Sequence, residues 1–294
     1  MKYTFMEQFR TEFPIVKMSK VLGVSANGFY CWLKRPISIQ KLKKLDLQNS
    51  IKSQFKKHEG MAGSPTIAKD LNDISEWKSI SRTRVAREMN TLGLKSKTRK
   101  KWTVTTDSKH KEPVAENLLN REFSRENPNE AWVSDLTYLR VKSHWVYLVV
   151  FIDLFNSKVV GWDLSTSLET KSTLHAFRKA IWNRKPSEGL LVHSDRGVQY
   201  ASKDFREELD LNKCVQSMSR KGNCWDNAVS ESFFSTLKTR LTHHRTYNSM
   251  EELERDIFWY IEIYYNRYRK HSANNWISPE QKELNYKRNK KKVA

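Results

Sequence analysis

The spacing of apolar positions changes period along the chain. It begins helical: Val16 to Leu22 predicts a short helix, Gly23 a turn, and Ser25 the N-cap of a second helix through Trp32 to Lys34, closed by Pro36. This is a helix-turn-helix pattern. Gln40 to Lys57 continues with Leu42, Leu45, Leu47, Ile51 and Phe55 near a helical repeat. After a break at Gly60 to Pro65, helices over 65–71 and 81–92 form a second pair, with Ser81 as N-cap and Gly93 at the stop. Trp102 to Asn129 is polar and reads as a linker. The period then shortens to that of strands over 131–139, 144–154 and 158–164, whose short connections predict an antiparallel meander. A helix over 171–184 leads to a strand at 190–193, expected to pair in parallel. A helix at 202–209, a strand at 213–218, a helix from Asp226 (its cap) to Arg240 and a long helix over 250–268 complete the pattern. The expected domains are 1–36, 40–101, a linker 102–129, a core 130–281 and a basic tail 282–294.

Charge divides the chain the same way. Residues 1–110 hold 23 Lys and Arg against 9 Asp and Glu, 111–281 hold 24 against 23, and 282–294 hold 6 against 1. Basic ends around a neutral core fit a polyanion partner. Arg82, Arg84 and Arg87 decorate the last helix of the second pair, and Lys97, Arg99, Lys100 and Lys101 follow in a run suited to a phosphate backbone. No apolar run approaches the roughly 20 residues of a membrane span, and no signal peptide is visible, so the expected location is the cytoplasm. Cys31, Cys214 and Cys224 are too few and scattered for a disulfide frame or a zinc site.

Three carboxylates interrupt this picture. Asp135 sits within the apolar strand Trp132–Leu139, Asp195 ends the strand Leu190–His193, and Glu231 lies on the helix after it. An unpaired carboxylate among strand residues is poor structure, because its burial is costly. Together the three suggest an oxygen cluster for magnesium, and two such ions can clamp the attacking and leaving oxygens of a phosphoryl displacement. Asp153, inside the second strand, is read as structural.

Trp132–Leu139, HSDRGVQY at His193–Tyr200, GNCWDNAVSESFFSTLK at Gly222–Lys238 and YNRYRKHSANNWISP at Tyr265–Pro279 resemble the Asp-Asp-Glu recombinases, and more closely the OrfB-type transposases of bacterial insertion sequences. The resemblance implies an α/β, ribonuclease H-like catalytic core, a mixed five-stranded sheet with flanking helices, preceded by small all-α helix-turn-helix units. The βββ-α-β-α-β-α order agrees. It implies Asp135, Asp195 and Glu231 as catalytic metal ligands for Mg2+, two ions with Mn2+ able to substitute, and Lys238, seven residues after Glu231 on the same helical face, as a contact to the DNA end. Tyr265, Asn266, Arg267 and His271 match the terminal motif of the family. The implied activity is cleavage at element ends followed by strand transfer. The implied partners are double-stranded DNA (element ends and target), a homo-oligomer on DNA and the product of an upstream frame, in a bacterial cytoplasm and on the nucleoid when bound. Two alternatives stand beside this: a DNA-binding partial product or regulator needing fusion to the upstream frame, and a ribonuclease H-type nuclease. The His/Cys zinc module of retroviral integrases is missing.

Overall fold

The computed structural model describes residues 1–97, 113–220, 224–242 and 245–293. The chain forms two compact units, Met1–Lys95 and Ser96–Ala294.

The first unit holds two small helical cores. Helices α1 (Lys2–Gln8), α2 (Ile15–Leu22) and α3 (Ala26–Leu33) close on Met6, Met18 and Phe29. Gly23 ends α2 at φ 60, and the Ser25 hydroxyl accepts from Gly28 N to cap α3, as the sequence predicts. The first helix was not foreseen; its Met6 is buried against α2 and α3 although Phe5 and Phe9 disguise the period. Helices α4 (Ile39–Lys57), α5 (Ser64–Asn72) and α6 (Arg82–Thr91) enclose a second core of Leu47, Ile51, Ile67, Leu71, Val85 and Met89. Ser81 caps α6 through Arg84 N, and Asn72 Oδ1 accepts from Ile80 N, which fixes the turn between α5 and α6.

The second unit is built on a mixed sheet in the order β3-β2-β1-β4-β5. Its strands are β1 (Ala131–Val141), β2 (His144–Asp153), β3 (Lys158–Ser165), β4 (Leu191–Ser194) and β5 (Val215–Met218). The first three form the expected antiparallel meander, while β4 pairs in parallel with β1 and with β5. Helix α7 (Thr170–Arg184) covers β2 and β3, and Phe177 meets Trp132, Phe151 and Phe205 in the core. Gly161 allows this approach: a Cβ there would stand 2.4 Å from the Ala176 carbonyl. A short α8 (Val198–Ala201) and α9 (Lys203–Leu211) lead to β5, and α10 (Ala228–Arg240) packs on β1.

The last part of the chain differs from expectation in three ways. The helix over 250–268 is α-helical only as α11 (Met250–Phe258), and Trp259–Tyr268 is π-helical. A π turn brings residues five apart together, and Trp259 stacks on Tyr264 at 5.6 Å and 13°. The stretch from 282, read as a basic tail, lies in α12 (Pro279–Val293). Its buried Glu283 accepts from Arg184 at 2.8 Å and from Lys158 at 3.3 Å, so the helix is tied to the core by charge. Asp226 does not cap α10; the capping position is Asn227, and Asp226 turns inward to arginines.

Candidate active site

The parallel register between β1 and β4 brings the first two carboxylates together. Trp132 faces Val192 and Val133 faces His193. Two residues further along each chain, Asp135 and Asp195 are level on neighbouring paths and on the same side, since the side-chain period of a strand is two. Glu231 and Lys238 reach the same place from α10, which crosses β1.

The electrostatics bear out this convergence. Burial pushes the Asp135 carboxyl well above the usual carboxylate range, and the charges of Asp195 and Glu231 push it further. The Leu136 N–H, donating to Oδ1 at 2.8 Å, and the Lys238 ammonium oppose this rise. Glu231 is raised by burial and by Asp195. Burial lowers Lys238, and Asp135 pulls it back up. The four side chains therefore act on one another. Among the described residues, no three acidic, His or Cys side chains are already drawn together into a set that encloses a metal ion. The donors nevertheless suit a hard divalent cation: all are carboxylate oxygens, and their mutual repulsion is what such a cation relieves.

Residues of the HSDRGVQY stretch hold Asp195 in place. Asp195 Oδ1 accepts from Gly197 N at 3.0 Å, and a Cβ on Gly197 would lie 3.0 Å from that same oxygen. A side chain there would press on the carboxylate where it folds back onto the backbone. Tyr200 is buried beneath the aspartates, and its hydroxyl is raised by burial and by the charges of Asp135 and Asp195. Ser134 Oγ donates to the Val150 carbonyl at 2.9 Å, so at 2.8 Å Tyr200 must be the donor to Ser134. Asn227 Nδ2 donates to the Ser134 carbonyl at 3.1 Å, which ties the start of α10 to the residue before Asp135. Sequence reasoning assigns no individual role to Ser134, Tyr200 or Asn227. Their signal was only their place inside or beside the motifs.

The basic residues separate into three groups. Arg82, Arg84 and Arg87 are exposed on α6. Lys97 donates to the Arg240 carbonyl at 3.0 Å, where its charge meets the C-terminal end of α10. Arg99, Lys100 and Lys101 lie outside the described residues, as do Gly222 and Asn223 of the GNCWDN loop. Asp153 has a structural environment: it accepts from Asn129 N at 3.0 Å, Phe155 N at 3.1 Å and Arg184 at 3.2 Å.

Integrase core domain models match residues 125–224 and 212–279, and an HTH-like domain model matches 41–102. The chain is 36% identical over 285 residues to transposase InsF for insertion sequence IS3A of Escherichia coli (strain K12), covering 96% of this chain and 98% of InsF. The chain belongs to the insertion-sequence transposase family. A second relative, the insertion element IS600 uncharacterized 31 kDa protein of Shigella sonnei, is 37% identical over 262 residues, covering 89% of this chain and 96% of that protein. Solved structures similar to the transposase include the simian T-cell lymphotropic virus intasome in complex with PP2A regulatory subunit B56 gamma, at 15% identity and a TM-score of 0.46, covering 79% of this chain and 73% of the viral one. Another is the HTLV-2 integrase catalytic core domain in complex with magnesium, at 18% identity and a TM-score of 0.42, covering 52% and 95%.

Proposed function

We propose that the protein cuts DNA at the ends of an insertion sequence and joins the freed 3′ ends to a target, with Asp135, Asp195 and Glu231 holding two divalent metal ions. The observation that carries this reading is the placement of Asp135 on β1 beside Asp195, which directly follows the neighbouring β4, each within reach of the charge of Glu231. When bound, magnesium polarises the phosphate under attack and activates water for the first step and the 3′-hydroxyl for the second. The residues of the chain supply position and charge. Asp135 presents its oxygens from β1 and Asp195 from the residue after β4, held by Gly197 N, and Glu231 is presented by a helix tied to β1. Lys238 sets a positive charge beside the carboxylates, where a DNA phosphate would lie. No side chain is required as a nucleophile, since both steps are in-line phosphoryl transfers. The HTH-like region with Arg82, Arg84 and Arg87 supplies contacts to double-stranded DNA, and an oligomer of the chain, joined to the product of an upstream frame, brings ends and target together.

The test is a cleavage and strand-transfer assay with oligonucleotides carrying the element end, using Asp135→Ala, Asp195→Ala and Glu231→Ala. Each variant is expected to bind DNA and to give no cleaved or joined product. Joining above a mock preparation by any one variant removes that residue from the site.

A further inference from the structure

Residues 116–121 precede the catalytic core in the chain, yet they are hydrogen-bonded to β5, which pairs with the strand leading to Asp195, and to Asp226, just before the helix that carries Glu231. Met218 N donates to the Glu116 carbonyl at 3.2 Å, so the segment runs along the open edge of β5. Two residues on, Leu118 N and Leu119 N both donate to Ser217 Oγ, at 2.9 and 3.2 Å. These two bonds occupy the lone pairs of the hydroxyl, so its proton must go to His193 Nδ1, 2.8 Å away. His193 then carries its own proton on Nε2 and donates to Ser219 Oγ at 3.2 Å, and Ser219 Oγ donates to the Ser194 carbonyl at 3.2 Å. The chain of donors thus runs in one direction, from the segment to the peptide that precedes Asp195.

The same segment reaches α10 through Asp226. That carboxylate is fully buried and receives Asn117 Nδ2 at 2.9 Å and Arg121 Nε at 2.8 Å, in addition to Arg220 N, Nε and Nη2 at 2.9 to 3.0 Å. Asp226 stands next to Asn227, whose amide holds the start of α10 to β1. Asn120 and Arg121 adopt left-handed backbone at φ 44 and 65, an arrangement that non-glycine residues keep only where several contacts impose it. Asn117 Oδ1 supplies one of those contacts by accepting from Asn120 N at 2.9 Å.

We infer that residues Glu116–Arg121 form a latch that sets the spacing of Asp195 and Glu231, acting through Ser217 and His193 on one and through Asp226 on the other. The latch residues are positioning residues: they touch neither metal nor DNA. The inference rests on the catalytic reading of Asp195 and Glu231. Asn117 and Arg121 are partly or fully exposed, so trimming them leaves the core filled.

The test uses the full-length chain with Asn117→Ala and Arg121→Ala combined. It reads Mn2+ binding without DNA by electron paramagnetic resonance, the melting temperature without metal, and strand transfer across a metal titration. The latch predicts a melting temperature close to the parent's and Mn2+ affinity weaker by about tenfold, the lower end of what losing an outer partner of a metal ligand does. Strand transfer should be lost at low metal and restored at high metal. Parental Mn2+ affinity and parental joining overturn the latch, and so does a lowered melting temperature with unchanged Mn2+ affinity, which assigns the segment to stability alone. Arg121→Ala by itself carries the same comparison if the double variant does not fold. Asp195→Ala run alongside separates the two ideas. If it loses Mn2+ binding and joining while the latch variant matches the parent, only the latch falls; if it keeps both, the catalytic reading falls and the latch with it.

Discussion

Asp135→Asn should make the metal-free protein more stable while abolishing its chemistry. Asn keeps the size of the side chain and an oxygen for the Leu136 N–H, which Asp135 Oδ1 now accepts at 2.8 Å. What it removes is a partly buried charge beside Asp195 and Glu231. Level positions on neighbouring strands are about 5 Å apart, and two like charges at about that distance in an effective dielectric of about 20 repel by roughly 3 kcal/mol. Lys238 offsets part of this, and protonation of the raised carboxyl relieves more, so the net gain expected from the substitution is about 1–2 kcal/mol. For a unit of this size each kcal/mol moves the melting temperature by about 2–4 °C. Magnesium should reverse the order. Saturating a site at about a hundred times its Kd stabilises the parent by about 2.7 kcal/mol, and the variant, lacking a ligand, should gain much less. The assay is thermal melting of both proteins in EDTA and in magnesium, following the transition of the larger unit. The reasoning is refuted if the Asn variant melts below the parent in EDTA, or if magnesium raises both by the same amount.

Three other outcomes are expected. Lys238→Ala should weaken engagement of the element end by roughly 1–3 kcal/mol, one charge-assisted contact, with Lys238→Glu worse and Lys238→Arg partly active; strand-transfer yield against DNA concentration reads this, and a Glu variant that matches the parent at limiting DNA makes the lysine an ordinary surface residue. Deleting residues 1–95 removes 18 Lys and Arg and 8 Asp and Glu, so binding to element ends should weaken and log affinity should fall less steeply with log salt; an unchanged slope in a binding titration would place the phosphate contacts elsewhere. Burial raises Asp153 from 3.8 to about 6, so between those values the folded chain binds more protons than the unfolded one, and the stability this group contributes declines as pH rises through that window. The decline is at most about 3 kcal/mol, and chemical denaturation at pH 4 and pH 7 should show it in the parent and lose it in Asp153→Asn.

The parts of the site that were legible in the sequence are those whose signal is local. Asp135 stands out because a carboxylate interrupts a β-branched, apolar run, and Glu231 and Lys238 because a helix puts positions seven apart on one face. Asp226 was misread because an acidic residue before a helix usually caps it. Here Arg220, six positions earlier, draws the carboxylate away with three hydrogen bonds, and Arg121 and Asn117, more than a hundred positions earlier, add two more. The π-helical turn was hidden because ten residues rich in aromatics satisfy either repeat, and only the stacking of Trp259 on Tyr264 distinguishes them. α12 was hidden by its own charge: a run such as Lys287 to Lys292 looks fully solvated, and nothing nearby in sequence shows that Glu283 four residues earlier finds Arg184. For Asp226 and Glu283 a polar contact distant in sequence, which has no period, overrides a local rule.

Asp135 and Asp153 show how such contacts separate structure from chemistry. Both are aspartates on paired strands of one sheet, and burial raises both. Asp153 is surrounded by donors: two backbone N–H groups and the guanidinium of Arg184, itself shared with Glu283. A carboxylate with three donors, one of them its ion-pair partner, has little left to offer a ligand, and its substitution should be felt as lost stability. Among the described residues Asp135 accepts one hydrogen bond, from the next residue in the chain, and its charged neighbours are two carboxylates and one half-buried lysine. Folding leaves it with unused acceptor capacity and a repulsion that Lys238 offsets only in part, a condition a divalent cation would correct. Residue type and burial alone would rank the two aspartates together; the number of donors around each oxygen separates them, fitting Asp153 to the fold and leaving Asp135 open to the cation proposed above.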